Sequence, residues 1–330
     1  MNAQKTAPPL RRNRCRGAAL LLAMLTVTLV ATFASAALWR QWRGVEVETA
    51  ERARVQAGWI LVGAVDWSRV ILREDARASG IDHLDEPWAV PLQEARLSTF
   101  LAADAGGTAS ADAGDAAQDT FLSGRMIDLQ SRMNVYNIAD GGQRQDAALR
   151  QFQRLFAQLG LPEGELELLA RNLVRAQSSA SGDADAPLMP QKFEQLTWLG
   201  LSPATLRALA PYATLLPLRT RVNINTASAE VLQASAAGLD RAGAELLVQA
   251  RRSDHFRNLA AAGKLVGGDT VLPDTDFGVA SMFFEARGRL RLGGVAVEER
   301  SVLRRDGATV RTLWRERGAI GGMDADILAR

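Results

Sequence analysis

The apolar positions of the chain change period four times, and each change marks an element. From Ala18 to Leu38 no residue is charged; as a helix that run would span roughly 30 Å, the thickness of a bilayer's hydrocarbon core. From Trp39 to Ala78 there is no proline, and Ala57, Ile60, Leu61, Ala64, Val65, Ser68, Ile71 and Leu72 recur at helical spacing. Arg52, Gln56, Asp66 and Arg73 take the opposite side. The pattern predicts one helix, apolar all round at first and amphipathic afterwards.

Residues 79–95 lose the period at Gly80, Pro87 and Pro91. The Ala/Gly/Asp-rich stretch 102–117, with Asp104, Asp112 and Asp115, matches no metal-loop spacing and reads as a solvated linker. Phe121 to Asn137 reads as extended chain. Two helices are predicted between Asp146 and Gln177, parted at Gly160-Leu161-Pro162. Ser202-Pro203 forms a helix start, serine as cap and proline in the first turn. Asn223-Ile224-Asn225-Thr226 offers capping oxygens to a helix carrying Val231 and Leu232, and helices continue to Leu265.

The period then falls to two. Met282, Phe284, Ala286, Leu290 and Leu292 alternate with Glu285, Arg287, Arg289 and Arg291, as in a half-buried strand. Gly293-Gly294 and Asp306-Gly307 are hairpin turns, with strands at Val295–Arg304 and Ala308–Arg317. One strand before the helices and three after them predict an α+β fold: a long N-terminal helix and a small antiparallel sheet (79–139 and 276–318) into which a large helical domain (140–275) is inserted. Residues 319–330 form a tail.

Charge and chemistry narrow the role. The net charge is only +2, so no whole-protein field draws in nucleic acid. The arginines of the strands interleave with Glu285, Glu298, Glu299 and Glu316, which predicts a solvated, charge-paired sheet face. One cysteine, Cys15, and two isolated histidines, His83 and His255, make no disulfide, zinc cluster or catalytic triad. The expectation is a binding or structural protein, not an enzyme, with no cofactor.

Residues 1–17 carry Lys5, Arg11, Arg12, Arg14 and Arg16 and no acid, and Trp39, Arg40, Trp42 and Arg43 follow the apolar run. A basic leader on the cytoplasmic side and an aromatic belt beyond the span fit a single membrane pass with everything after residue 40 on the far side. A secretory signal cut after Ala34-Ser35-Ala36 is one reading. A lipoprotein signal is not, because Cys15 precedes the apolar run. A prepilin leader, cut by prepilin peptidase between Gly17 and Ala18, is favoured because the apolar helix runs unbroken into the amphipathic one.

Asp85-Glu86-Pro87-Trp88-Ala89, Asp128-Leu129-Gln130, Arg132-Met133-Asn134 and Val222-Asn223-Ile224-Asn225-Thr226-Ala227, in this order behind the leader and long helix, resemble general secretion pathway protein K, the minor pseudopilin of type II secretion systems. The resemblance implies a tip subunit of a periplasmic pseudopilus. Its partners would be the I and J pseudopilins, other secretion components and prepilin peptidase, which leaves the new amine methylated. Most pilins carry a glutamate at the fifth mature position that pairs with the terminal amine of the subunit above; here that position is Leu22. A subunit unable to neutralise a buried amine suits the tip, where nothing lies above.

Two departures accompany the resemblance. Ala18 stands where pilins commonly have phenylalanine, and the calcium loop of the family retains only Asp183 and Asp185, near Ser178 to Pro190. Val222 to Arg252 also looks like a helix-hairpin-helix module of membrane-anchored DNA receptors. Gly238 fits its first phosphate-binding glycine, but Asp240 replaces the second, and a carboxylate there repels phosphate.

Overall fold

The computed structural model describes residues 16–99, 120–178, 185–267, 270–292 and 295–318. The leader up to residue 15, the 102–117 linker, the Gly293-Gly294 turn, Asp183 and the 319–330 tail lie outside the described residues.

Helix α1 (Arg16–Ala78) is continuous over 63 residues, and by contacts the chain divides at Gln56/Ala57 into two units. In the first unit the large apolar side chains from Leu20 to Leu38 are exposed. The hydroxyls of Thr26, Thr28 and Thr32 donate to the carbonyls of Ala23, Leu25 and Leu29, so these three polar groups are satisfied within the helix. The Arg43 guanidinium lies 4.4 Å from the centre of the Trp39 ring. Among the described residues this is the one helix long and apolar enough to cross a membrane.

In the second unit, Ala57, Leu61, Val65 and Leu72 of α1 are buried, with Ile60, Ala64 and Ile71 packed beside them. They cover a sheet of five antiparallel strands in sequential order: β1 (Leu92–Arg96), β2 (Thr120–Asp128), β3 (Phe283–Leu292), β4 (Val295–Asp306) and β5 (Thr309–Gly318). The alternation in β3 holds: Phe284, Ala286 and Leu290 meet α1, whereas Phe283 packs on the other face with Leu129, Leu216 and Val302. Gly124 and Gly288 are paired across β2 and β3. A Cβ on Gly288 would sit 3.0 Å from Leu61 Cδ2, and one on Gly124 would sit 2.8 Å from the Arg287 carbonyl oxygen. Gly288 therefore lets the helix close on the sheet, and Gly124 lets β2 lie against the β3 backbone. The Asp306-Gly307 turn joins β4 to β5, with Gly307 at φ +55°.

The sheet differs from expectation in two places. Strand β1 was not predicted; Leu-Gln-Glu-Ala-Arg has no β-branched residue, and it pairs at the edge with a register shift. The extended stretch expected to reach Asn137 ends at Asp128. The Asp128 carboxylate accepts the N–H of Gln130 and the Asn134 side chain that of Tyr136, turning the chain into short 3-10 segments, Leu129–Ser131 and Val135–Ile138.

The helices pack around one core. They are α2 (Asp146–Leu159), α3 (Glu163–Ser178), α4 (Pro203–Leu209), α5 (Ala229–Ser235), α6 (Arg241–Ser253) and α7 (Leu259–Val266). Gly160, at φ +64°, ends α2, and Ser202 caps α4 by accepting the Thr205 N–H. Phe152, Phe156, Leu166, Leu169, Leu173 and Leu232 are buried at its centre. Met133, Val135, Ile138 and Ala139, read from the sequence as part of the sheet domain, join this core. Two short parallel ladders, Met133–Asn134 with Ala213–Thr214 and Val222–Asn223 with Phe277–Gly278, tie each end of the insertion to its middle stretch.

Candidate functional site

Where the helical insertion leaves and rejoins the sheet, four chain segments meet in a buried polar junction. Asp128 ends β2 and is 3% exposed. Its Oδ2 accepts from Thr226 Oγ1 (2.6 Å), Ser281 Oγ (2.7 Å) and Asn223 Nδ2 (3.1 Å), and its Oδ1 from the Gln130 N–H (2.7 Å). Burial pushes the Asp128 carboxyl up to about 6, against the pull of these donors.

Asn223, fully buried, also donates to the Asp82 carbonyl (3.1 Å) and the Ser281 hydroxyl oxygen (3.0 Å), while its Oδ1 accepts the Asn225 N–H. Asn225 exchanges hydrogen bonds with the backbone of Phe256, donating at 3.0 Å and accepting at 2.8 Å. Asn223 to Thr226 are thus not helix caps, as the sequence suggested. Ser228 caps α5 instead, accepting from the Val231 N–H, because the earlier polar groups are spent inside the junction.

Asp82 closes the arrangement. Its N–H donates to the Val279 carbonyl (2.8 Å), its Oδ2 accepts the Ser281 N–H (2.7 Å), and both its oxygens lie 2.5 Å from Arg305 Nη2. Arg305 Nη1 reaches Asp75 at the end of α1 (2.7 Å). Burial works against the Arg305 charge, yet the two carboxylates outweigh it and hold its proton more tightly. Asp75, Asp82 and Glu86 bring their oxygens together as a metal site would, but the guanidinium already occupies the place between two of them.

The two histidines, isolated in the sequence, are brought together. Their rings stack with centroids 3.8 Å apart and planes 7° from parallel. The stack joins the loop after α1 to the α6–α7 connection.

The sheet face away from α1 is charge-paired, as predicted; Arg289 and Arg291 are solvated, but the middle of the face is not. Arg300 bonds to Glu194 of the insertion (2.9 Å), lies 3.4 Å from Glu316, and stands over the Trp314 ring. Arg287 pairs with Glu285, and Lys192 with Glu316 at 3.1 Å. Arg287 and Arg300 are each 12% exposed. The Lys192–Leu199 segment of the helical body reaches Arg300, Glu316 and Trp314, a contact no strand pattern reports.

Two family models, both described as type II secretion system (T2SS), protein K, match residues 131–218 and 222–280. The segments they cover include Asn223, Asn225 and Thr226. Both segments carry this family's domains. It is 26% identical to the type II secretion system protein K of Pseudomonas aeruginosa, over 84% of this chain and 85% of that protein. Against that of Klebsiella pneumoniae the figure is also 26%, over 93% and 97%. A chain in the crystal structure of the GspK-GspI-GspJ complex from enterotoxigenic Escherichia coli has the same fold, with a TM-score of 0.60 at 19% identity, covering 82% of this chain and 98% of that one. A type II secretion minor pseudopilin with one candidate membrane helix at its N-terminal end fits a single-pass anchor.

The remaining candidate site residues scatter. Gly17 and Ala18 lie in the first turns of α1, and Leu22 points outward, 63% exposed. Of the calcium candidates only Asp185 is described. It is exposed, and its carbonyl accepts from the Arg175 guanidinium at 2.9 Å. Among the described residues this leaves a single exposed carboxylate, with a guanidinium on its own carbonyl, where a calcium loop gathers six or more oxygens. In the α5–α6 hairpin, Gly238 turns at φ +80°, and Asp240 Oδ1 accepts the Gly243 N–H at 2.7 Å as the cap of α6. The protein's own carboxylate thus stands where a phosphate would approach the amides.

The sequence singles out Asp128 only as a member of a quoted motif, and Asn223 and Thr226 also as capping groups. It passes over Asp75, Asp82, Ser281 and Arg305, whose roles carry no local signal because their partners lie far away in the chain.

Proposed function

We propose that this protein is the tip subunit of the type II secretion pseudopilus, assembling with the I and J pseudopilins to initiate and cap the fibre during export across the outer membrane. Leu22 carries the reading. After cleavage between Gly17 and Ala18 it is the fifth residue, and an apolar side chain there cannot neutralise the terminal amine of a subunit above. The top of the stack is the position where this costs nothing. The crystallised complex of a chain of the same fold with GspI and GspJ supports these partners.

In this reading the leader stays cytoplasmic, prepilin peptidase removes it, and the new amine is methylated. The unit beyond the membrane is periplasmic. The protein is a structural subunit and not an enzyme, calcium is not its resident cofactor, and Asp240 keeps duplex DNA off the α5–α6 hairpin.

N-terminal sequencing of the protein from membranes containing prepilin peptidase is the test of processing. Ala18 is the expected first residue, and a start at Ala37 would show a secretory signal instead. For the position, cross-links from the periplasmic unit to major pseudopilins on one side only are expected in the assembled fibre. Cross-links to major pseudopilins both above and below would sink the tip assignment.

A further inference from the structure

Asp75 in the last turn of α1, and Asp82 and Glu86 in the loop that follows, place carboxylate oxygens within 4.8 Å of one another. They are 9%, 1% and 6% exposed. One cation enters the group, Arg305 from β4, and it serves Asp75 and Asp82. Glu86 gets none of it: its Oε2 accepts the His83 N–H (2.9 Å) and the Trp88 indole N–H (2.7 Å). The Glu86 carboxyl instead lies within 4.8 Å of that of Asp75, whose charged form its own charge disfavours. Two carboxylates are both acceptors, so a hydrogen bond can join them only if one carries a proton. Three buried carboxylates against one guanidinium would otherwise leave two uncompensated charges, and one shared proton removes one of them.

We propose that Asp75 and Glu86 hold one proton between them at neutral pH, and that its release on the alkaline side unfastens the end of α1 from the sheet–insertion junction. The step is a simple ionisation: the proton passes to water and both carboxyls become anions facing each other. The consequences follow from what each holds. Glu86 seats the Trp88 indole, which packs edge-on against Phe284 with centroids 5.1 Å apart. Arg305, stacked over the same Phe284 ring, links Asp75 to Asp82 and so to Val279 and Ser281.

The other charged groups facing the pair are few. His83 Nε2 lies 3.8 Å from Glu86 Oε1, and Asp128 acts on Asp82 from the end of β2. On the solvent side of α1, Glu74 is paired with Arg73 and Arg77. Burial and then the charges of Glu86 and Asp82 lift Asp75 to about 7, and burial raises Glu86 as well. In the unfolded chain both carboxyls ionise near their ordinary values. The folded state therefore binds more protons than the unfolded one at neutral pH, and stability from this pair falls as pH rises through about 7.

The test uses the full-length protein in detergent. Its urea midpoint is followed by tryptophan fluorescence from about pH 6 to about pH 8.5, with and without chelator, and the infrared band of protonated carboxyl groups is recorded over the same range. The expected result is a midpoint that falls with pH, and a protonated-carboxyl band that fades as it does. Glu86→Gln, which still accepts from Trp88 and His83, should remove that band and flatten the slope; Asp75→Asn should do the same. An unchanged slope and band in either variant would overturn the proposal, and so would a wild-type protein without the band. A slope that appears only with chelator would mean that a metal ion, not a proton, fills the group, and would equally overturn it. Should a variant fail to fold, the wild-type infrared titration decides alone.

Discussion

His83 and His255, the only two imidazoles of the chain, lie face to face 3.8 Å apart. Asp85 and Glu86 approach His83 at 3.8 Å each, while Asp254 and Arg257 act on His255. Burial and then the neighbouring His83 hold His255 below its ordinary value. A base with a depressed folded pKa stabilises the fold above its unfolded pKa of about 6.5, and that contribution is lost as pH falls through the folded value. Denaturation midpoints should therefore drop on the acid side in a shallow step, since His255 is only partly buried. His255→Phe, which keeps a ring in the stack but cannot ionise, should remove the step; its persistence would show that another group titrates.

Asn223→Ala strips Asp128, Ser281 and the Asp82 carbonyl of a shared donor. Leaving buried acceptors unpaired costs about 1–3 kcal/mol each before relaxation, so a loss of about 3 kcal/mol is expected in urea unfolding. A loss under about 1 kcal/mol would mean that water replaces the amide.

Gly288→Val should cost about 1–3 kcal/mol, because the added Cβ meets Leu61 at 3.0 Å. Leu61→Ala in the same chain should recover part of that loss. A double-mutant cycle with no coupling would show that the glycine serves strand geometry and not the approach of α1.

Asp240→Ala removes the α6 cap and should cost about 1 kcal/mol of stability. The wild-type protein should bind duplex DNA no more tightly than a neutral protein at moderate salt. Sub-micromolar binding with a steep salt slope would revive the helix-hairpin-helix reading.

The membrane-length run, the amphipathic face of α1 and the alternation of β3 were legible because each repeats over many residues, so a periodic pattern survives without knowledge of partners. Ala57, Leu61 and Leu72 are buried as their spacing required. Strand β1 was not legible. An edge strand needs only one neighbour, so Leu92–Arg96 carries little of the composition that marks a central strand.

At the junction the boundary is sharper still. Local pattern identified Asn223 and Thr226 as polar groups ahead of a helix and assigned them to capping, the commonest use of such residues. Their actual partner, Asp128, comes from a strand on the far side of the insertion. Sequence alone determined the long helix, the helices of the insertion and strands β3 to β5, because those elements rest on short-range periodicity and turn chemistry. Tertiary structure alone decided that Asp75, Asp82, Glu86 and Arg305 share one buried site. A carboxylate's charge state and partners depend on what else is excluded from water beside it, and chain order does not carry that information.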